Sequence, residues 1–329
     1  MSIPKMLIAF GEFALKKGHR RPATPIKTRR PSPKDFQTNE EGTLRVTWLG
    51  HSSLLLQIDG STFLFDPVWS QRVSFLKNMG PKRFHDPVIA IEDLPKLDAV
   101  VISHDHYDHL DRATIEELAE RPGIFFLLPL GVGAHFDRWG ISRDLYEEFD
   151  WWEEKIVNSI TLTATPARHS SGRNGTTDRT LWMSWAIKGP QKSAFFGGDS
   201  AYHDDFENIG QRLGPFDLTM IEIGAYHAAW SFFHMGPEQS ILAHKQLQGR
   251  HYLPIHWGTF DLAPHVWTEP IERAMLAAKK HDVHLIVSKI GQTIDIPPEK
   301  EGESWWPRNL PWLGEDERPI LSPNLSKKP

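Results

Sequence analysis

The sequence predicts an α/β fold, and three observations carry that prediction. Short apolar runs rich in β-branched residues recur along most of the chain, and segments of helical spacing separate several of them. A length of 329 residues with 40% apolar content is enough to bury one large core. No apolar run approaches the ~18 residues of a membrane-spanning helix. In chain order, "TLRVTWLG" (43–50), "SLLLQI" (53–58) and "STFLFDP" (61–67) read as strands separated by turn residues. "DAVVIS" (98–103) reads as a buried strand, and "ATIEELAE" (113–120) as a helix capped by Asp111 and stopped by "RPG" (121–123). "IFFLLP" (124–129), "ITLTATP" (160–166), "SAFFGGD" (193–199) and "LTMIEIG" (218–224) are further strands. "PEQSILAHKQL" (237–247) is a helix with proline in its first turn, followed by strand "HYLPIH" (251–256). "EPIERAMLAAKKH" (269–281) and "VHLIVS" (283–288) supply a last helix and strand. The letters contain no internal repeat. The division expected is a basic arm (1–42), one domain (43–297) and a tail rich in Pro and Trp (298–329), packed on the domain or trailing from it.

Charge is unevenly placed. Residues 1–30 hold eight Lys and Arg against Glu12 alone, a balance of +7, so a total of −5 leaves −12 for the rest. A basic arm beside the apolar stretch Met6–Leu15 suits an anionic membrane surface, and its alternative is a terminus docked on the body. Most basic residues follow the apolar stretch, the reverse of a secretory signal. Cysteine is absent, which excludes disulfides and thiolate ligands and suits a reducing compartment. The expectation is therefore a cytoplasmic protein, with peripheral contact at the inner face of a membrane through the arm. The acidic body disfavours nucleic acid as a partner.

Residues 103–111, "SHDHYDHLD", concentrate three histidines and three aspartates at the end of a predicted buried strand. His104, His106, Asp108 and His109 form H-x-H-x-D-H, and imidazole with carboxylate suits zinc and similar divalent ions. Four such groups in six positions cannot all converge on one ion, so two adjacent metals sharing the loop are expected. Other predicted strands also end in ligand-type residues: His169 after 160–166, Asp199 after "AFFGG", and His256 after "HYLPI".

"HDHYDH" resembles the metal-binding signature of the metallo-β-lactamase superfamily, which implies a four-layer αββα sandwich with metals at one edge. The blocks "WLGHSS" (48–53), "DPVWSQRVS" (66–74), "GPKRF" (80–84), "ISHDHYDHLD" (102–111), "GDSAY" (198–202), "GPFDL" (214–218), "IGAY" (223–226) and "IHWGTF" (255–260) resemble the N-acyl-phosphatidylethanolamine-hydrolysing phospholipase D branch and its bacterial relatives. The resemblance assigns His104, His106 and His169 to one zinc and Asp108, His109 and His256 to the other, with Asp199 bridging. Manganese and iron stay open, because such sites discriminate poorly among divalent ions. The chemistry implied is attack by a metal-bridging hydroxide on phosphorus or a carbonyl carbon.

Asp108 and His234 are the catalytic candidates. His234, in "FFHMGPE", precedes a predicted helix and suits a phosphate oxygen or leaving group. His51 and Asp66 are expected to orient ligands, and Tyr107 either touches substrate or packs. Asp105 is assigned to solvent or a loop amide, His244 to a plain helix surface and Arg173 to a solvated loop. His203, His227 and His265 lie in blocks near the site. Two features depart from the animal members of the branch: the loop "HSSGRNGTTDRT" (169–180), and Glu222 in "IEIGAY", where an uncharged residue is expected. The expected substrate is a phospholipid or another small phosphodiester; a lactone or ester hydrolase using the same metals is the alternative. A homodimer is compatible with these features.

Overall fold

The computed structural model describes residues 18–36, 39–76, 78–173, 175–300 and 302–310. The apolar stretch 6–15 and its neighbours Lys5, Lys16 and Lys17 lie outside them. Two seven-stranded sheets form the frame. The first contains β1 (Leu44–Gly50), β2 (Ser53–Ile58), β3 (Ser61–Phe65), β4 (Ala99–Val101), β5 (Phe126–Pro129) and β6 (Tyr146–Phe149) side by side in chain order. The second contains β7 (Glu154–Val157), β8 (Ile160–Thr165), β9 (Ser184–Lys188), β10 (Ser193–Phe196), β11 (Phe216–Glu222), β12 (Gly249–Ile255) and β13 (His284–Leu285), also in chain order. β14 (Thr293–Asp295) returns to pair antiparallel with β1.

Each sheet begins as an antiparallel meander and ends as a parallel run. β1 to β3 and β7 to β10 are antiparallel neighbours, whereas β3 to β6 and β10 to β13 are parallel. The same progression therefore occurs twice without an echo in the letters. Helices cross between parallel strands: α1 (Arg112–Ala119) and α2 (Gly133–Arg138) in the first half. In the second half these are α3 (Asp205–Leu213), α4 (Pro237–Gln246) and α5 (Glu269–His281). The result is an αββα sandwich of α/β class. Leu54, Leu56, Phe63, Phe65, Phe195 and Phe196 are fully buried, and the rings of Phe65 and Phe196 meet at 4.7 Å across the sheets. Burying each such side chain stabilises the fold by about 1.5–3 kcal/mol.

Several elements escaped the sequence pattern for physical reasons. β6 ("YEEF") and β7 ("EKIV") are edge strands whose charged, half-buried or exposed residues dilute the apolar signal. α3 ("DFENIGQRL") contains Gly210, which lowers helical propensity but lets Gln246 O approach where a Cβ would stand only 2.0 Å away. The strand expected over 283–288 shrinks to His284–Leu285. Asp111 occupies the N-cap position, yet its carboxylate makes no capping bond to the helix backbone. It accepts instead from Ser70 N and Ser70 Oγ at 2.9 and 2.8 Å and from Thr114 Oγ1 at 2.5 Å, tying the loop after β3 to α1.

The chain ends are pinned to this frame where they are described. Trp267 N donates to His19 O at 3.0 Å, and the Arg21 guanidinium meets buried Asp261 at 2.9 Å. Trp305 Nε1 donates to Ser288 O and Trp306 Nε1 to Glu272 Oε1, and Trp305 stacks on Trp257 with centroids 5.4 Å apart. Among the described residues no helix is long and apolar enough to cross a membrane.

Candidate metal centre

Strand ends build the site. The loop after β4 carries His104, His106, Asp108 and His109, and the turn is closed by Leu110 N donating to His106 O at 2.8 Å. From the same sheet come His51, between β1 and β2, and Asp66, after β3. The second sheet sends His169 after β8, Asp199 after β10, Glu222 at the end of β11 and His256 after β12.

Two groups of donors converge. His104 Nε2 stands 2.9 Å from His106 Nδ1, which is 3.1 Å from His169 Nε2. Beside them, one ligand atom each from His51, Asp108, His109 and His256 lies within 4.8 Å of the others. Asp199 joins the two groups: its Oδ2 is 3.1 Å from both His109 Nε2 and His256 Nε2, 3.7 Å from His169 Nε2 and 3.9 Å from His104 Nε2. The structure thus brings together all seven residues singled out as ligands. His51 stands beside the second group, its Nε2 2.9 Å from Asp108 Oδ2, the contact that an orienting role calls for.

The outward nitrogens are held by the surrounding shell. Asp66 Oδ2 accepts from His109 Nδ1 at 2.7 Å, and its two oxygens also take Ser103 N and Ser103 Oγ. Ser103 Oγ meets His104 Nδ1 at 2.9 Å, and Phe233 O accepts from His169 Nδ1 at 2.7 Å. These bonds fix which nitrogen of each ring faces inward. Inward, by contrast, buried His109 Nε2, Asp199 Oδ1 and both nitrogens of His256 have no hydrogen-bond partner of proper geometry. Leaving such groups unpaired costs roughly 1–3 kcal/mol each, and a cation would supply the missing partner. Imidazole and carboxylate without sulfur suit a divalent ion of borderline hardness, so the donor set fits a metal.

Electrostatics match this density of groups. Burial and neighbouring imidazoles hold His104 well below the usual histidine range; His169 is also far below it, with burial the largest cause. Burial acts against charge on His256 too, but the nearby carboxylates, Asp199 first, lift it to about 10. Asp199 itself is buried, yet His109 and His256 hold it well below the carboxylate range.

The backbone is strained where the site needs it. His51, Asp66, Ala225 and His256 have left-handed φ values of 53°, 38°, 57° and 62°. Non-glycine residues in that region cost on the order of 1–3 kcal/mol each and persist where the surroundings over-determine them. Gly198 (φ 56°) removes a clash before Asp199, since a Cβ there would stand 2.6 Å from Ser103 Cβ.

A cavity of about 270 Å³ opens over the donors. His106, Asp108, Asp199, His234 and His256 line it, with Trp230, Phe233 and Leu262 as apolar walls. Through His106 and Ser170 it adjoins an outer cavity of about 730 Å³, lined by Phe75, Tyr107, Gly172, Arg173 and Thr176 among others. Tyr107 therefore faces the outer cavity. His203, His227 and His265 are not among the residues lining the inner cavity. His203 packs on Phe206, and His265 Nε2 accepts from Ala225 N.

Two placements differ from expectation, and a third, Asp105, meets it in a buried setting. Arg173 is not solvated: it is buried, donates to Asp105 O and Leu110 O at 2.8 and 2.7 Å, and lies 3.9 Å over the Tyr107 ring. Asp105 does bind a loop amide, Gly172 N at 2.7 Å, but it is buried, and its other oxygen takes His135 Nε2 at 2.9 Å. His244 is buried against Thr219 rather than lying on the helix surface. Alternation with ligands suggested an outward Asp105; a turn does not preserve strand alternation, so that signal was absent. Sequence reasoning marked Glu222 only as a departure. In the structure it is fully buried, with Oε2 2.7 Å from His234 Nδ1. An acid inside the apolar run "LTMIEIG" was the available signal.

Comparison with known proteins agrees with this architecture. A family described as "Beta-lactamase superfamily domain" matches residues 61–257. The chain belongs to the metallo-β-lactamase superfamily. An uncharacterised protein of Mycobacterium tuberculosis is 45% identical over 298 residues, spanning 90% of this chain and 79% of the relative. Caenorhabditis elegans N-acyl-phosphatidylethanolamine-hydrolyzing phospholipase D 1 is 39% identical over 241 residues, or 69% of this chain and 67% of the relative. Among solved structures, the metallo hydrolase Igni18 of Ignicoccus hospitalis shares the fold with a TM-score of 0.60 at 22% identity, covering 77% of this chain and 98% of that one. This member of the superfamily is a metal-dependent hydrolase.

Proposed function

We propose that the protein is a dinuclear zinc phosphodiesterase acting on N-acyl-phosphatidylethanolamine-like lipids or related phosphodiesters. The observation that carries this reading is the position of Asp199 Oδ2, 3.1–3.9 Å from imidazole nitrogens of both donor groups, as a bridging carboxylate requires. On this reading His104, His106 and His169 hold one ion, Asp108, His109 and His256 the other, and Asp199 both. Two zinc ions supply Lewis acidity and make water nucleophilic near neutral pH. The activity for which the Caenorhabditis elegans relative is named supports a phosphodiester substrate, and the apolar walls beside the donors support an amphiphilic one.

The chain's own groups divide the remaining work. Asp108 faces the cavity and accepts a hydrogen bond from the attacking water, while His51 at 2.9 Å holds its carboxylate in place. His234 faces the same cavity from the opposite element and binds a phosphate oxygen or the departing oxygen. Trp230, Phe233 and Leu262 exclude bulk water around that oxygen.

The test is a substrate panel on zinc-reconstituted protein: N-acyl-phosphatidylethanolamine in mixed micelles, bis-p-nitrophenyl phosphate, a lactone, a carboxylic ester and a β-lactam. Release of phosphatidic acid, with near two zinc ions per chain by elemental analysis, is the expected result. Hydrolysis confined to the lactone or ester would replace the phosphodiester reading, and saturation at one ion would overturn the dinuclear one.

A further inference from the structure

We propose that Glu222 is a positioning residue that fixes which nitrogen of His234 faces the substrate cavity. The proposal rests on the reading of His234 as a substrate-facing group. Glu222 ends β11 with its side chain fully buried, and both of its oxygens are engaged. Oε1 accepts from Ser200 N at 2.6 Å, the amide directly after Asp199. Oε2 stands 2.7 Å from His234 Nδ1. A main-chain amide is always a donor, so Oε1 is committed as an acceptor and cannot turn away. In its ionised form Glu222 can only accept at Oε2, so it takes Nδ1–H of the neutral imidazole and leaves Nε2 free of hydrogen, and His234 is one of the residues lining the cavity.

The geometry goes beyond holding the ring in place. Two neighbouring rings already restrict it, His169 with centroids 5.0 Å away and His256 at 5.4 Å, so packing alone sets its plane. What packing cannot choose is the tautomer, because the two nitrogens are nearly isosteric. The carboxylate makes that choice. The arrangement repeats around the site, where Asp66 and Phe233 O select the tautomers of His109 and His169. For those rings the selected nitrogen faces the donor groups; for His234 it faces substrate.

Glu222→Gln isolates this effect because it preserves size. The glutamine oxygen must take Ser200 N, which leaves the amide NH₂ facing His234 Nδ1. His234 must then accept at Nδ1 and carry hydrogen on Nε2, the opposite tautomer. The experiment uses the full-length, zinc-loaded protein labelled with ¹⁵N-histidine, with His234 assigned by loss of its signals in His234→Gln. In the parent protein Nδ1 should show the protonated shift and Nε2 the unprotonated one; in Glu222→Gln the two should exchange. Zinc content should be unchanged, and kcat should fall on the order of 10²- to 10⁴-fold with little change in KM, the scale seen when a catalytic imidazole is held in the wrong tautomer. Glu222→Asp, which keeps the carboxylate, should retain the parent tautomer. An unchanged tautomer in Glu222→Gln overturns the proposal, and so does loss of zinc, which would make Glu222 a ligand. The tautomer readout needs no substrate. If the parent protein proves inactive on phosphodiesters while the signals still exchange, the phosphodiester reading fails and this one stands.

Discussion

Asp199 Oδ2 and His256 Nε2 lie 3.1 Å apart, both buried, at the ends of strands separated in the sheet by β11. The same oxygen is equidistant from His109 Nε2, which comes from the opposite sheet. A single carboxylate thus neutralises charge drawn from two sheets.

Asp199→Asn keeps the shape of that side chain and removes its charge. Metal content after reconstitution should fall below two ions per chain, and turnover should drop by more than the roughly 10- to 100-fold that loss of an outer partner costs. Elemental analysis with activity on the same sample checks this. Two retained ions and normal turnover would exclude Asp199 as a bridge.

Asp105 belongs to a different class of residue. Its carboxylate and the Arg173 guanidinium clamp the 169–180 loop onto the ligand loop, through Gly172 N, Asp105 O and Leu110 O. Asp105→Ala should leave Gly172 N and His135 without partners, costing roughly 1–3 kcal/mol for each group left unpaired. Asp105→Asn can still accept from Gly172 N and should lose less. Urea denaturation of both variants decides the point: equal midpoints would mean the clamp contributes nothing measurable.

Acid stability should carry the imprint of buried neutral histidines away from the ligands. Burial, then repulsion from His251 and His284, lowers His244 to about 4 from an ordinary 6.5. Between those values the unfolded chain binds a proton that the folded chain refuses. Stability therefore rises with pH across that window and is lost as pH falls from 6.5 towards 4. His85, also lowered to about 4 chiefly by burial, acts in the same direction. The full slope for one proton is about 1.4 kcal/mol per pH unit. His244→Asn should flatten the stability curve in chelator-treated protein between pH 6.5 and 4; parallel curves for the two proteins would refute the assignment.

The described part of the basic arm is held on the body. Arg20 and Arg21 meet buried Asp261 at 3.6 and 2.9 Å, and Arg29 N donates to Ile290 O. Deleting residues 1–30 should therefore lower the melting temperature by stripping Asp261 of these partners. Deleting residues 1–17 should weaken salt-sensitive sedimentation with anionic vesicles, where each basic residue contributes at most about 1 kcal/mol. Undiminished sedimentation of the shorter deletion would show that this segment is no anchor.

The fold was legible where physics is local. β2 and α5 coincide with "SLLLQI" and "EPIERAMLAAKKH", because a short Leu-rich run between turn residues and a sustained 3.6-residue period are local signals. The seven ligand-type residues were legible because they follow strands or lie in one dense loop. Residues whose meaning is tertiary were not. Arg173 owes its burial to Tyr107, 66 positions away, and Glu222 its interest to His234; neither pairing leaves a trace in spacing. Asp111 was correctly placed at a helix start, but its carboxylate serves Ser70, a partner that no local rule would nominate.

The origin of the donors has a mechanical consequence. His104 and His106 leave the first sheet and His169 the second; Asp108 and His109 leave the first and His256 the second. Each donor group therefore straddles the two halves of the sandwich, and an ion seated in either acts as a rivet between them. Pulling the sheets apart would require breaking coordination bonds before the core could open. Occupancy should thus govern how long the molecule survives, and chains made in metal-poor surroundings should be the first that a protease digests.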